Sequence, residues 1–449
     1  MRMKKPKRLL SIIQKLYSAG YESYAVGGCI RDAFLKKEPK SWRLYTSAPS
    51  EVVQIIFEED HLNYSPKHSI VTLVDGETKY EIVTIDNGLQ KEKASNDVVP
   101  LDIEKVLSQR DFTINTIVYN DRGLIVDYFN GYNDLRRKVI RCVGDPNEKM
   151  QKDSLNILRA LRYASCLNFS IDKATSNAIH KNAELLTKIP KKRIRNELCK
   201  LLSGANSTKV LLNYADVFAI IIPELEPCIG FNQNNPYHCF DVYEHMVRAV
   251  ENYAGTDIEI KFALFLHDIG KPDCYFTDER GGHFYGHPVN SAEKVEKILS
   301  RLHFNEQTKN NIVKLVRYHD FDFPTTAKGG KRLLNKVGEY SMNQLLEVKA
   351  ADIKAHTPQT SDALLLKLTE FKQLLNHVLS SDTQIKRLKL SVNGKDIVAL
   401  GGKVGPNIGR IIQTLEQEVA NNTIPNEKEA LLERIRELLA EGDAKNEQL

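Results

Sequence analysis

YAVGGCIRDAFLKKEP, residues 24–39, sets a Gly27-Gly28 turn shortly before Arg31. Glycines lack Cβ atoms, so backbone N–H groups at such a turn can approach a phosphate closely, and Arg31 adds positive charge. Around this turn, residues 22–140 alternate short β-like runs with turn signals. SIVTLV (69–74), DGE (75–77) and KYEIVTI (79–85) spell a hairpin, and GLIVDYF (123–129) a further strand. From about residue 145 the period becomes helical, starting with SLNILRALRYASCL (154–167). The fold class read from this pattern is α+β, a β-sheet head followed by a long helical body. A polar loop is expected at 86–102 and compact helix–turn–helix units around 390–409. The N-terminal MRMKKPKRLLSIIQKLY reads as an amphipathic helix with Leu9, Leu10, Ile12, Ile13 and Leu16 on one side, and not as a signal peptide.

A chain of 449 residues is long enough for several domains or sub-domains. Its 42% apolar and 27% charged residues fit an ordinary globular protein, and no apolar run approaches the ~18 residues of a membrane span. Cysteines 29, 142, 166, 199, 228, 239 and 274 form no CxxC pair, so reduced thiols and a cytoplasmic location are expected. The net charge of +5 is modest, but LRRKVIR (135–141) and KIPKKRIR (188–195) concentrate it. Two readings stay open for these clusters: phosphate tracking, or a solvated helix face.

Several ordered blocks together resemble one family. YAVGGCIRDAFLKKEP is followed by TSAPSEV (46–52), SQRDFTINTIVYN (108–120), GLIVDYFNGYNDLRRKVIRCVGDP (123–146), LNILRALRYA (155–164) and KRIRNELCKLL (192–202). NGKDIVALGGKVGPNIG (393–409) follows near the C-terminus. The order is similar to that of the bacterial-type tRNA nucleotidyltransferases (CCA-adding enzymes) and poly(A) polymerases, over almost the whole chain. The resemblance implies a nucleotidyltransferase-like sheet head at 1–140, an all-α neck at 141–205, a body at 206–370 and a tail at 371–449. It also implies tRNA or other RNA 3′ ends as partners, and nucleotides. Gly27, Gly28, Arg31, Arg110, Asp111, Asn115, Asp153, Arg159 and Arg162 match its nucleotide- or RNA-binding positions.

The chain also departs from the family. Where the resemblance calls for two carboxylates spaced D-x-D to hold two divalent ions, SWRLYTSAP (41–49) has Ser41 and Arg43. At ~4 Å and an effective dielectric of 20, each unit of charge on a cation beside Arg43 meets about 4 kcal/mol of repulsion. Glu81 stays as a single carboxylate in KYEIVTI. The Glu and Arg of the family's Glu-Asp-x-x-Arg are Lys152 and Asn156. Val106, Gln109 and Thr84-Ile85-Asp86 also differ from it.

Eight of the twelve histidines lie between 238 and 356. EHMVRAV supplies His245, FLHDIGKP supplies His267 and Asp268, YGHPVNSAEKV His287, VRYHD His319 and AADIKAH Asp352. This order resembles the HD-domain metal-dependent phosphohydrolases. The resemblance implies divalent metal binding by these six residues, with Mn, Fe, Ni, Co, Zn or Mg suited to the donors. The site is binuclear if His287 and His319 both bind, and mononuclear otherwise. Lys271 has two readings, a phosphate contact or a helix-end cap. His238, His283, His303 and His356 read as ordinary surface or core histidines.

The reading that follows is an HD-type phosphohydrolase or phosphodiesterase on a nucleotidyltransferase scaffold whose polymerase site no longer works. His267, Asp268 and Lys271 would be catalytic, acting on RNA 3′ ends, cyclic phosphates or nucleotides. Two alternatives accompany it: an active CCA-adding enzyme, and a non-catalytic tRNA-binding or partner subunit.

Overall fold

The computed structural model describes residues 6–85, 99–120, 123–279, 281–387, 390–402, 405–420 and 423–446. Residues 86–98 of the expected polar loop lie outside this set. The chain divides into two compact units, Met1–His319 with Glu347–Thr357, and Asp320–Leu346 with Pro358–Leu449.

The first unit opens with α1 (Lys7–Ser18), which buries Leu9, Ile12, Ile13 and Leu16. Leu10 is 38% exposed, because its position in the helical period turns it off the buried stripe. There follow β1 (Ser23–Val26), α2 (Gly28–Phe34), β2 (Ser41–Thr46), α3 (Ser50–Ile56), β3 (Leu62–Ser65), β4 (Ile70–Asp75), β5 (Thr78–Thr84), α4 (Ile103–Ser108), β6 (Val118–Asn120) and β7 (Ile125–Val126). The strands form one mixed sheet in the order β3-β4-β5-β2-β1-β6-β7. The hairpin read at 69–85 is β4–β5, closed at Asp75 and Thr78. GLIVDYF contributes only Ile125–Val126.

SWRLYT is a strand at the centre of this sheet, antiparallel to β1 and parallel to β5. Successive side chains of a strand point to opposite faces. Trp42, Leu44 and Thr46 are therefore buried beneath the sheet, while Ser41 and Arg43 stand exposed on the other face with Tyr45 half-buried.

Helices dominate from residue 131: α5 (Gly131–Arg137), α6 (Pro146–Lys152), α7 (Leu155–Leu167), α8 (Lys173–Asn182), α9 (Lys191–Leu202), α10 (Ser207–Asn213), α11 (Ala215–Ile221), α12 (Val242–Asn252), α13 (Ile258–Leu266), α14 (His287–Arg301) and α15 (Glu306–Tyr318). Asp145, Asp241, Asp257 and Asn305 cap α6, α12, α13 and α15 by accepting from backbone N–H groups of the first turn. The neck and body are not wholly helical. β8 (Val139–Ile140) pairs with β9 (Ser170–Ile171), and β10 (Phe276–Asp278) with β11 (Gly281–His283). Pairs this short satisfy backbone groups between helices without a period that sequence reading would detect.

The second unit contains α16 (Ala327–Val337), the start of α17 (Glu339–Ile353), α18 (Pro358–Arg387), α19 (Gly394–Ala399), α20 (Pro406–Ala420) and α21 (Lys428–Asn446). In NGKD, Asn393 and Asp396 cap α19 reciprocally. Val392, Ile397, Ile411, Leu415, Val419, Leu431 and Ile435 form the core of α19–α21. Among the described residues, no helix is long and apolar enough to cross a membrane. All seven cysteines are unpaired.

Candidate functional site

The head places six of the expected binding residues together. Gly27 leaves β1 with φ of +91°, a conformation that favours glycine, and a Cβ there would lie 2.6 Å from Arg110 Nη2. Arg31, only 7% exposed, donates from Nη1 to Asn115 Oδ1 (2.8 Å) and from Nε to Asp32 Oδ1 (2.9 Å). Asn115 Nδ2 donates in turn to Asp111 Oδ1 (3.0 Å). Arg110 Nη1 donates to Tyr45 Oη (2.8 Å), while its buried Nε has no hydrogen-bond partner. Gly27, Gly28, Arg31, Arg110, Asp111 and Asn115 thus line one cradle. Tyr45 was missed by sequence reading, although the alternation of SWRLYT puts it on the same face as Ser41 and Arg43.

Across β2 and β5, Arg43 lies in register with Glu81. Its Nε and Nη2 both donate to Glu81 Oε2, at 2.9 and 2.6 Å. The two divalent ions that the family implies do not fit these residues. A serine and a cation stand where the resemblance calls for two carboxylates, and the nearby Glu81 accepts from that cation.

A second pair of departures also meets in space: Lys152 Nζ donates to Gln109 Oε1 (2.6 Å). Asp153 accepts from Arg159 Nη1 (3.0 Å), which also donates to Asn156 Oδ1 (2.9 Å). Arg162 Nε lies 2.6 Å from Glu197 Oε2. The guanidinium carbons of Arg162 and Arg31 stand 4.0 and 5.0 Å from the centre of the Tyr163 ring. Asp153, Arg159 and Arg162 are therefore held by the neck's own side chains, and Tyr163 joins Arg162 to the head cradle. Of the basic clusters, Arg136, Arg137, Lys138, Lys188, Lys192 and Arg193 are exposed. Arg141 is committed to Asp134 and Asp172.

His245, His267, Asp268, His287, His319 and Asp352 come together in the body, all buried. α12 presents His245, the end of α13 His267 and Asp268, the start of α14 His287, the end of α15 His319, and α17 Asp352. His267, His287 and His319 turn Nδ1 to the carbonyls of Leu264, Phe284 and Val316 at 2.7, 2.8 and 2.7 Å. A proton on each Nδ1 leaves the Nε2 lone pair facing the cluster. His267 Nε2 then lies 3.2 Å from His245 Nε2, and His287 Nε2 3.3 Å from His319 Nε2. Asp352 Oδ1 is 3.0 Å from His245 Nε2, and Asp268 Oδ2 is 3.2 Å from His267 Nε2. Asp268 Oδ1 sits 3.2 and 3.3 Å from Nε2 of His287 and His319 without hydrogen-bond geometry to either.

Opposed lone pairs, two buried carboxylates and one oxygen without a hydrogen bond form a donor set that fits a divalent cation. His245/His267/Asp352 and His267/Asp268/His319 each bring three ligand atoms within 4.8 Å of one another. Burial opposes charge on His267, but Asp268 and Asp352 outweigh it and push its pKa up to about 10, so an ion ligated by its Nε2 takes the place of a proton there. Burial dominates at His245 and His319 and pushes both down. Burial also opposes ionisation of Asp268 and Asp352, yet the adjacent histidines, with Lys271 for Asp268, hold both well below the usual carboxylate range. The centre therefore favours positive charge.

Lys271 points inward, with Nζ 2.6 Å from Asp268 Oδ2 and donating to Gln233 Oε1 (2.8 Å). His238 and His356 belong to the surroundings of the cluster. Their rings stand 4.9 and 5.4 Å from that of His245, and burial pushes His356 down to about 4. The loop-rich stretch 228–240 gave no period by which to place His238. His283 pairs with Asp278, and His303 accepts at its carbonyl from Arg195.

A mixed sheet whose glycine turn faces Arg31 and Arg110, followed by a helical chain, is the arrangement of a nucleotidyltransferase-type protein. Residues 23–141 match the poly A polymerase head domain, and 168–229 the "Probable RNA and SrmB-binding site of polymerase A". Residues 287–435 match domain 2 of tRNA nucleotidyltransferase. The CCA-adding enzyme of Lactobacillus delbrueckii subsp. bulgaricus is 36% identical over 437 residues, covering 94% of this chain and 96% of that one. That of Ligilactobacillus salivarius is 27% identical over 451 residues, covering 97% of each. The chain belongs to the CCA-adding enzyme family. In fold it resembles the Bacillus stearothermophilus CCA-adding enzyme crystallised with CTP (TM-score 0.63, 24% identity, 99% of this chain and 100% of that one). It also resembles the Thermotoga maritima enzyme complexed with tRNA (TM-score 0.60, 20% identity, 98% and 97%).

This relationship corrects the reading of the chain as an HD-type phosphohydrolase with its polymerase activity lost. The whole-length relatives are CCA-adding enzymes, so the family activity is nucleotidyl transfer. The physical reason for the error is that a buried histidine–aspartate cluster specifies which ion can be held, and not which reaction is performed.

Proposed function

We propose that this chain is a tRNA nucleotidyltransferase that acts at the 3′ end of tRNA with CTP and ATP. The observation that carries this reading is the 36% identity to a CCA-adding enzyme along 94% of the chain. In this reading Arg31 and Arg110 hold the nucleotide's phosphates at the Gly27-Gly28 turn, and Asn115 and Asp111 fix Arg31 in place. Asp153 and Arg159, already joined to each other, present hydrogen-bonding groups to the incoming base. No step is assigned to a metal on β2, where Ser41 and Arg43 offer no ligand set.

The test is incorporation of labelled CMP and AMP into tRNA lacking its 3′-terminal CCA. Incorporation above a heat-inactivated control is expected. None at any divalent-ion concentration, with tRNA binding intact, would overturn transfer and leave an RNA-binding protein. Binding to tRNA should run through Arg136, Arg137, Lys192 and Arg193, so log Kd should vary linearly with log salt. Each neutralised phosphate contributes about 0.7 to 0.9 to that slope. Exchanging these four residues for glutamine should flatten it, and an unchanged slope would remove them from the interface.

We further infer that the body cluster holds divalent metal through His245, His267, Asp268, His287, His319 and Asp352. A bound ion would neutralise the two carboxylates and tie together the helices that supply the ligands.

A further inference from the structure

We propose that the head binds the triphosphate of a nucleotide without a divalent ion, because Arg43 provides a fixed cation where the family's metals would sit. This rests on the reading of the Gly27-Gly28 cradle as a nucleotide site.

Three observations converge on it. Strand alternation places Ser41, Arg43 and Tyr45 on one face of β2, the face where Tyr45 meets Arg110. Arg110 overlies Gly27, forms no ion pair among the described residues, and keeps a buried Nε with no hydrogen-bond partner. Glu81 accepts from two donors of Arg43, so an ion at Glu81 would have to stand beside that cation or displace it. Arg31 and Arg43 are paired with Asp32 and Glu81, which leaves Arg110 at the turn as the cation without a carboxylate partner among the described residues. A polyphosphate is the complementary ligand, and guanidinium groups bind its oxygens with paired N–H donors.

Nothing covalent is required; the inference concerns binding alone. Its experiment is a calorimetric titration of CTP into the full-length protein, in EDTA and in millimolar Mg²⁺. The Kd should agree within about twofold between the two buffers. Arg43→Ala should weaken binding in EDTA by at least about tenfold and make it Mg²⁺-dependent, because Glu81 is released. Arg43→Lys should fall between. The Arg43 side chain is 45% exposed, so both variants keep the core. Inorganic tripolyphosphate should compete with CTP, whereas competition by tRNA alone would assign the cations to the RNA backbone and overturn the proposal. A tenfold or greater loss of affinity in EDTA, wild-type affinity in Arg43→Ala, or no CTP binding in either buffer would each overturn it too. Failed incorporation with EDTA-insensitive CTP binding would overturn only the transfer reading. Incorporation with strictly Mg²⁺-dependent binding would overturn only this one.

Discussion

Asp268→Asn is expected to lower the divalent metal retained by the proposed body site about tenfold or more against wild type. The side chain is buried, and its two oxygens face His267, His287, His319 and Lys271. The asparagine keeps the shape but loses the charge that draws a cation into the cluster. Asp268→Ala should be harsher still, since it leaves Lys271 and His267 without their buried partner. Breaking such a pair costs about 3–5 kcal/mol. Metal analysis of gel-filtered protein reads the first effect, and thermal melts with and without EDTA read the second. EDTA should lower the Tm of wild type and leave that of Asp268→Asn unmoved. Full metal content in Asp268→Asn would remove the cluster as the metal site. His319→Ala then separates two ions from one: the metal content halves if the site is binuclear, and changes little if His319 lies outside the coordination of a single ion.

Trp42→Ala is expected to destabilise the head by about 3–5 kcal/mol. Trp42 is 1% exposed, packed under the centre of the sheet with Leu44 beside it on the same face. Its removal opens a cavity that neighbouring strands, held on both sides by β1 and β5, cannot close. Arg43, next to it in sequence, should behave in the opposite way. Its ion pair with Glu81 is largely solvated and is worth at most about 1 kcal/mol, so Arg43→Ala should move the urea midpoint little. Equal destabilisation by the two substitutions would contradict the assignment of one face to packing and the other to ligand.

Part of this was legible along the chain. The β4–β5 hairpin showed in its apolar runs and DGE turn, α7 in its helical period, and the glycine turn with Arg31 in one short motif. The residues of the body cluster were legible only as an ordered set, through its resemblance to the HD-domain phosphohydrolases, since a lone histidine on a helix reads as an ordinary surface or core residue. The reaction was not legible from that cluster. Reading its donors as a statement of function gave the wrong enzyme class, and similarity over the whole length corrected it.

What the sequence by itself determined is local: where the period is two and where it is 3.6, which turn needs glycine, and which two positions of β2 carry no carboxylate. What only the tertiary structure decided is pairing between distant segments. Arg43 reaches Glu81 because β2 and β5 run parallel and in register, and Lys152 reaches Gln109 because the neck folds back on the head. Tyr45, Tyr163, His238 and His356 take their places for the same reason. Periodicity reports which way a side chain points, but its partner is set by burial shared among segments far apart in the chain, and no local pattern encodes that distance.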